Sequence, residues 1–321
     1  MRAARRQRYG PPEVIRVEDV AVPTPADDEL LVQVHAATVS RTDCALLSAS
    51  PFFMRFLTGL RRPRTQTLGT DFAGRVAAIG ARVSEFQVGD KVWGINDLGA
   101  RSHAEYLVIS KRDSVASMPA DLSFEDAAAC IEGAWYAYSF IDKVTVAKGK
   151  RVLINGATGA IGSALLQMSV HFGATVTAVG NTKNLELLKS LGAERVIDYE
   201  HADFTQDDQV YDYVFDAVGN SSFGACKHLL TPNGVYISSE LGPGWQNPFL
   251  ALITPALGGK RLVFPIPIAR TAFLEIMHRF VAEHHFRPII DRAFTLDTIG
   301  EAYAYVASGQ KTGSVVLKLC D

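Results

Sequence analysis

Three glycines, Gly156, Gly159 and Gly162, recur at every third position in "NGATGAIGSALLQ". They follow the apolar run Val152-Leu153-Ile154 and precede a helix-like run from Ser163 to His171. That order spells a strand, a tight turn and a helix start. Glycine tolerates positive φ and lets backbone N–H groups approach a ligand, while a helix start aims the positive end of its dipole at the same spot. A pyrophosphate suits such a cradle, although close packing of helix on strand would use the same glycines. Read as Ala157-x-Gly159-x-x-Gly162, the turn is a dinucleotide fingerprint with alanine in first place. This reading assigns Ala157, Thr158, Gly159, Ala160 and Ile161 to the cofactor. In the fingerprint, an acidic residue about twenty positions on bonds the ribose 2′-OH. Here the second strand ends instead in Gly180, Asn181, Thr182 and Lys183. An amide, a hydroxyl and an ammonium suit a 2′-phosphate that a carboxylate would repel, so the expected cofactor is NADP(H). Thr182 also reads as the N-cap of the following helix, and the two roles are compatible.

The elements that must position this turn change character along the chain. From Val14 to about Val115 the sequence consists of short apolar runs broken by turns, "LLVQVHAATVS", "FAGRVAAIG", "DKVWGI" and "AEYLVIS", the pattern of a mainly β region. An opening strand is expected over Arg5 to Tyr9, before the turn Gly10-Pro11-Pro12. From about Leu122 helices alternate with single strands. The first helix opens at Ser123, with Asp126 three residues on, close to a capping box. The alternation continues to Val235–Ser239 and implies a parallel sheet with helices on both faces. After about Phe264 a helix, "TAFLEIMHRFVAEH", and a strand, "SVVLKL", are expected to rejoin the first domain. The fold class is therefore α/β. A β-rich catalytic domain, 1–122 completed by 265–321, accompanies a doubly wound parallel-sheet cofactor domain, 123–264.

The 321 residues are 48% hydrophobic and 21% charged with a formal charge of −2, ordinary for a two-domain globular protein and without the basic excess of a nucleic-acid binder. Cys44, Cys130, Cys226 and Cys320 lie far apart, without metal-ligand spacing, and read as reduced thiols of a cytoplasmic protein. The arginine-rich start lacks the apolar run and cleavage site of a secretory signal, while remaining compatible with a transit peptide. The greasiest stretch, "WQNPFLALITPALGG", is broken by prolines and too short to span a bilayer. "PFFMRFLTGLRRPR" joins aromatics to arginines; a flap beside an active site is preferred here to a membrane-surface contact.

Several longer segments resemble the medium-chain dehydrogenase/reductase family, in its zinc-free quinone oxidoreductase-like branch. They are "YGPPEVIRVEDVAVPTP", "LGTDFAGRVAAIGARVSEFQVGDKVWGI", "HAEYLVIS", "GATGAIGSALLQMSVHFGATVTAV", "KSLGAERVIDY", "YDYVFDAVGN" and "GEAYAYVASGQKTGSVVLKL". The resemblance runs nearly end to end. It implies a GroES-like β domain built from both chain ends and an inserted Rossmann domain, pairing into a homodimer through the strand "RLVFPI". Zinc-dependent relatives place a cysteine where Ser40 stands in "VSRTD", and a His-Glu pair where Thr70-Asp71 follows Gly69. Hydroxyls do not replace such ligands, so no metal is expected. Without a Lewis acid, hydride delivery to a quinone or an enone is easier than reduction of a simple ketone, because charge spreads onto an oxygen that hydrogen bonds can hold. The implied function is NADPH-dependent reduction of a small electrophile of that kind. The alternative is a non-catalytic NADPH-binding redox sensor or scaffold on the same fold.

The resemblance also carries roles to individual residues. Ser40 and Asp43 match an Asn and an Asp lining the substrate cleft, although Asp43 also reads as an ordinary acid at a helix start. Tyr136 falls where relatives have a nicotinamide-contacting threonine, and the tyrosine some relatives carry near Ala45 is absent. Glu132, one helical turn before Tyr136, is a candidate proton donor if burial raises its pKa, or a structural carboxylate held by hydrogen bonds. Tyr199 matches a tyrosine against the adenosine phosphate. Val218 and Gly219 match the passage beside the nicotinamide ribose, and Phe264 and Pro265 a nicotinamide contact. His35 and His103 read as core or edge histidines.

Overall fold

The computed structural model describes residues 1–110, 112–267 and 270–320. The chain divides into two compact units. One takes in Met1–Glu132, the helix Arg270–Ala282 and the C-terminal segment from Arg287; the other runs from Gly133 and includes His284–Phe286.

The first unit is organised by an eleven-residue strand, Glu29–Val39. Its side chains alternate between half-buried and buried as far as His35, then are buried without a break from Ala36 to Val39. This is the pattern of a strand with one face on the core that ends by entering it. Being long, it pairs antiparallel with three others, Asp71–Ile79, Tyr106–Ser110 and Ser314–Lys318. Leu30, Val32 and Val34 pack with Phe72, Val76, Val92 and Leu107 in one core. A second core joins Ala4, Ile15, Leu47 and Leu68 to Ile299, Tyr303, Val315 and Leu317, so both chain ends are needed to complete this unit. The opening strand is Arg2–Arg5, not Arg5 to Tyr9. Its partner Arg16–Asp19 pairs with it from Arg2↔Asp19 to Arg5↔Arg16. Beyond that register the chain leaves the ladder, and Tyr9 turns its hydroxyl to Thr58 and the Gly59 carbonyl.

In the second unit six strands are all parallel, in the spatial order Arg195–Asp198, Thr175–Gly180, Arg151–Asn155, Tyr211–Asp216, Leu230–Ser238 and Arg261–Val263. This is the doubly wound order, with a switch point between Arg151–Asn155 and Tyr211–Asp216 where a ligand crevice is expected at the carboxyl ends. The central strands are buried almost without alternation because helices cover both faces. Arg261–Val263 closes one side of the sheet with a single strand partner. Among the described residues no helix is long and apolar enough to cross a membrane, and none of the four cysteines forms a disulfide.

The helix Phe124–Ala129 starts as its sequence requires: the Ser123 hydroxyl accepts from the Asp126 N–H at 3.0 Å and donates to the Asp126 carboxylate at 2.7 Å. Ser123→Ala should therefore cost about 1 kcal/mol, read as a lower urea midpoint with an unchanged slope.

Candidate functional site

The glycine turn divides its work among the three glycines. Gly156 has φ +79°, and a Cβ there would overlap Val218 Cγ2 at 2.0 Å. Gly162 lies so close to the turn that a Cβ would stand 2.1 Å from the Gly156 carbonyl oxygen. Gly159 caps the helix Ala160–His171 in extended conformation without a side-chain bond, and only the Gly156 oxygen, at 3.6 Å, approaches its Cβ position. Gly156 thus makes the bend, Gly162 allows helix and turn to touch, and Gly159 leaves open space before the first-turn N–H groups of Ala160 and Ile161. Ala157 is buried with its N–H spent on the Val179 carbonyl, so its contribution is to the turn's position.

The other cofactor candidates gather at the same edge of the sheet. Asn181, Thr182 and Lys183 follow the strand Thr175–Gly180; Tyr199 follows Arg195–Asp198; Val218 and Gly219 follow Tyr211–Asp216; Phe264 and Pro265 follow Arg261–Val263. Thr158 reaches toward the end of the second strand, where its Cγ2 would lie 2.8 Å from a Cβ on Gly180. The loop at Val218 is held from below by Asp216, which is fully buried. One of its oxygens accepts from the N–H groups of Val218 and Gly219 at 3.1 and 2.9 Å and from Asn155 at 3.0 Å. The other accepts from the Tyr236 hydroxyl at 2.7 Å. The sequence signal for this anchor was an acid that ends the strand directly after the apolar run Tyr213-Val214-Phe215.

Thr182 does not cap a helix. Its hydroxyl donates to Asp198 at 2.5 Å and its N–H to Glu200 at 3.2 Å. The strand that precedes Thr182 ends without a carboxylate, yet the neighbouring strand brings two. Asp198 also accepts from His201 Nδ1 at 2.9 Å, and the Thr182 hydroxyl, followed by His201, holds its pKa below the usual range. Tyr199, between these acids, keeps its ring largely in solvent.

In the first unit, Ser40 and Asp43 lock onto each other at the start of the helix Arg41–Ser48. The Ser40 hydroxyl accepts from the Asp43 N–H at 3.1 Å, and Asp43 Oδ2 accepts from the Ser40 N–H at 2.9 Å and its hydroxyl at 2.8 Å. Asp43 is fully buried, and the Thr70 hydroxyl also helps to hold its carboxyl group. Glu132 accepts from the Thr42 hydroxyl at 2.7 Å. Asp71, not singled out in the sequence as a site residue, spends both oxygens on Thr38, accepting from its N–H at 2.7 Å and its hydroxyl at 2.5 Å. Burial pushes all three carboxyl groups up; the bonds from Ser40, Thr38 and Thr42 oppose it only in part. His103 is buried with Nε2 2.9 Å from the Thr38 carbonyl, so that nitrogen carries the proton, while Nδ1 accepts from the Tyr303 hydroxyl at 3.2 Å. Burial lowers its pKa and keeps it neutral. His35 stacks on Phe124 with centroids 4.2 Å apart. Tyr136 belongs to the second unit, half-buried, its ring edge-on to Trp135 at 5.4 Å.

Two family models match: residues 26–150 fit the alcohol dehydrogenase GroES-like domain and residues 191–317 the zinc-binding dehydrogenase domain. A 2-methylene-furan-3-one reductase of Solanum lycopersicum is 30% identical over 326 residues, covering 96% of this chain and 76% of that protein. The chain belongs to the medium-chain dehydrogenase/reductase superfamily, in its quinone oxidoreductase-like branch. The solved structure of the quinone oxidoreductase from Coxiella burnetii matches with a TM-score of 0.89 at 27% identity, over 100% of this chain and 99% of that one. A mitochondrial NAD(P)H oxidoreductase of Mus musculus is 28% identical over 97% of this chain and 87% of its own length. For this member of the superfamily, a GroES-like β unit and a Rossmann-type parallel sheet are thus the two halves of an oxidoreductase.

Two outcomes follow from the geometry. Gly162→Ala forces backbone apart and should cost about 1–3 kcal/mol of stability in urea unfolding. For Asp71, a raised acid pKa means that the folded chain keeps a proton the unfolded chain has released. Its stabilising contribution is therefore full below the unfolded value of about 4 and is lost as pH rises through the folded one. Wild type should lose more stability than Asp71→Asn between about pH 5 and pH 8, measured by denaturation at each pH.

Proposed function

We propose that this oxidoreductase reduces quinones or α,β-unsaturated carbonyl compounds with NADPH, without zinc, as a homodimer in the cytoplasm. The observation that carries the reading is the donor set at the places where zinc-dependent relatives hold their metal. Ser40 and Thr70 offer hydroxyls, and Asp71 has both oxygens engaged by Thr38. Such donors do not suit zinc, which takes thiolate, imidazole or free carboxylate. Among the described residues no group of three or more His, Cys, Asp and Glu is placed to hold a metal.

The sheet edge fits a dinucleotide. The N–H groups at Gly159, Ala160 and Ile161 suit its pyrophosphate, Asn181, Thr182, Lys183 and Tyr199 its adenosine end, and Val218, Gly219, Phe264 and Pro265 its nicotinamide end. When bound, the nicotinamide supplies the hydride. The residues of this chain then orient the acceptor and furnish the proton. Thr42 donates to Glu132 Oε1, and burial, outweighing the bonds from Thr42 and Ser40, raises the Glu132 pKa and favours the form that can give up a proton. The Ser40–Asp43 pair sets the start of the helix Arg41–Ser48, and Tyr136 is assigned to the nicotinamide. Lys183 and Asn181 favour a 2′-phosphate, whereas Asp198 and Glu200 oppose it, so the preference for NADPH should be modest. The single-partnered strand Arg261–Val263 and the exposed Phe249, Leu252 and Leu257 support pairing of two copies along that edge.

The decisive experiment follows NADPH and NADH consumption against a quinone, a 2-alkenal and a saturated aldehyde. Turnover of the first two with NADPH preferred is expected; NADPH binding without consumption would mean a sensor or scaffold. Lys183→Ala should lower kcat/KM for NADPH about tenfold, the effect of one charge-assisted bond, with little change for NADH. Glu132→Gln should lower enone turnover by about a hundredfold while NADPH binding persists.

A further inference from the structure

The first unit encloses a cavity of about 100 Å³ next to Asp43, and its lining carries more positive than negative charge. Arg6 and Arg64 line it together with Asp43, Tyr303, three threonines and four leucines. Arg6 is only 5% exposed. One terminal nitrogen donates to the Leu46 carbonyl, the guanidinium lies 5.1 Å from the Tyr9 ring centroid, and Nε is buried without a partner. Among the described residues neither Arg6 nor Arg64 forms an ion pair. A buried guanidinium without a hydrogen-bonded anion is costly, and an unsatisfied buried donor calls for a missing partner.

The candidates within the protein do not supply it. The Tyr303 hydroxyl is directed at His103. Asp43 acts on Arg6 only through space, its Oδ2 is taken by Ser40, and burial opposes its charge. The Thr70 hydroxyl also holds the Asp43 carboxyl, which can donate when protonated. Donors at the cavity therefore outnumber ionised acceptors, and its volume accommodates a small polar group with a few waters.

We propose that this cavity is a carboxylate subsite, holding a carboxylate between Arg6 and Arg64, either as the tail of the reducible substrate or as a free small acid. The substrate form of the proposal rests on the quinone and enone reading above; the binding form does not. Planar guanidinium groups match carboxylate geometry and gain most where water is excluded, as at Arg6. Arg64, exposed at the rim, gives the approaching anion its first charge.

The test uses the full chain. Benzoquinonylacetate is compared with its methyl ester for kcat/KM, and acetate is compared with chloride at equal ionic strength for its shift of the melting temperature. Wild type should prefer the acid by about tenfold or more, chiefly through KM, and be stabilised by acetate. Arg64→Ala, at an exposed position that folding tolerates, should bring the acid-to-ester ratio close to one and abolish the acetate shift; Arg6→Gln should do the same where it folds. A ratio near one together with an acetate shift lost in Arg64→Ala assigns the site to a free acid. No turnover of any quinone, with that acetate shift retained in wild type, defeats the catalytic reading and leaves the subsite standing. A wild-type ratio near one with no acetate shift overturns the proposal and leaves the cavity to water.

Discussion

A carboxyl group taken out of water must find donors, and three aspartates organise both units of this protein by doing so in different degrees. Asp71 is matched completely by Thr38, joining the end of one central strand to the start of the next. Asp216 is matched completely by Asn155, Tyr236 and two N–H groups, holding the Val218-Gly219 loop at the sheet edge. Asp43 is held by Ser40 and the Thr70 hydroxyl, yet burial still pushes its pKa up. The first two build the scaffold, and the third lines a cavity.

The same constraint separates the kinds of polar side chain at the candidate sites. A carboxyl group with full partners fixes backbone, as at Asp216, and contributes to function by placing its neighbours. At Glu132 burial outweighs the bonds from Thr42 and Ser40 and favours the protonated form. At the sheet edge the balance differs, because Glu200 is exposed and Asp198, with its side chain only 15% exposed, is held charged by the bonds from Thr182 and His201. There they take the hydroxyl and N–H of Thr182 and set two negative charges beside Lys183.

Much of this was legible in the chain. The glycine spacing placed the turn and its helix, and the positive φ at Gly156 and the close approach at Gly162 show why other residues would not serve. The Ser123 cap and the alternation along Glu29–Val39 followed from local pattern. The opening strand was misplaced by a few residues because its extent depends on a partner, Arg16–Asp19, and not on its own apolar content. The carboxylates at Thr182 were missed because they come from a strand sixteen to eighteen residues later.

By itself the sequence determined what neighbouring residues impose on one another: where the backbone must bend, where a helix can begin, and which face of a strand avoids water. These are steric and solvation constraints that act within a turn or two of chain. Only the tertiary structure decided which polar groups meet. Arg6, Asp43, Arg64 and Tyr303 surround one cavity although nearly three hundred residues separate the first from the last. Such meetings depend on strand order and on which elements complete a shared core, and no local spacing records them.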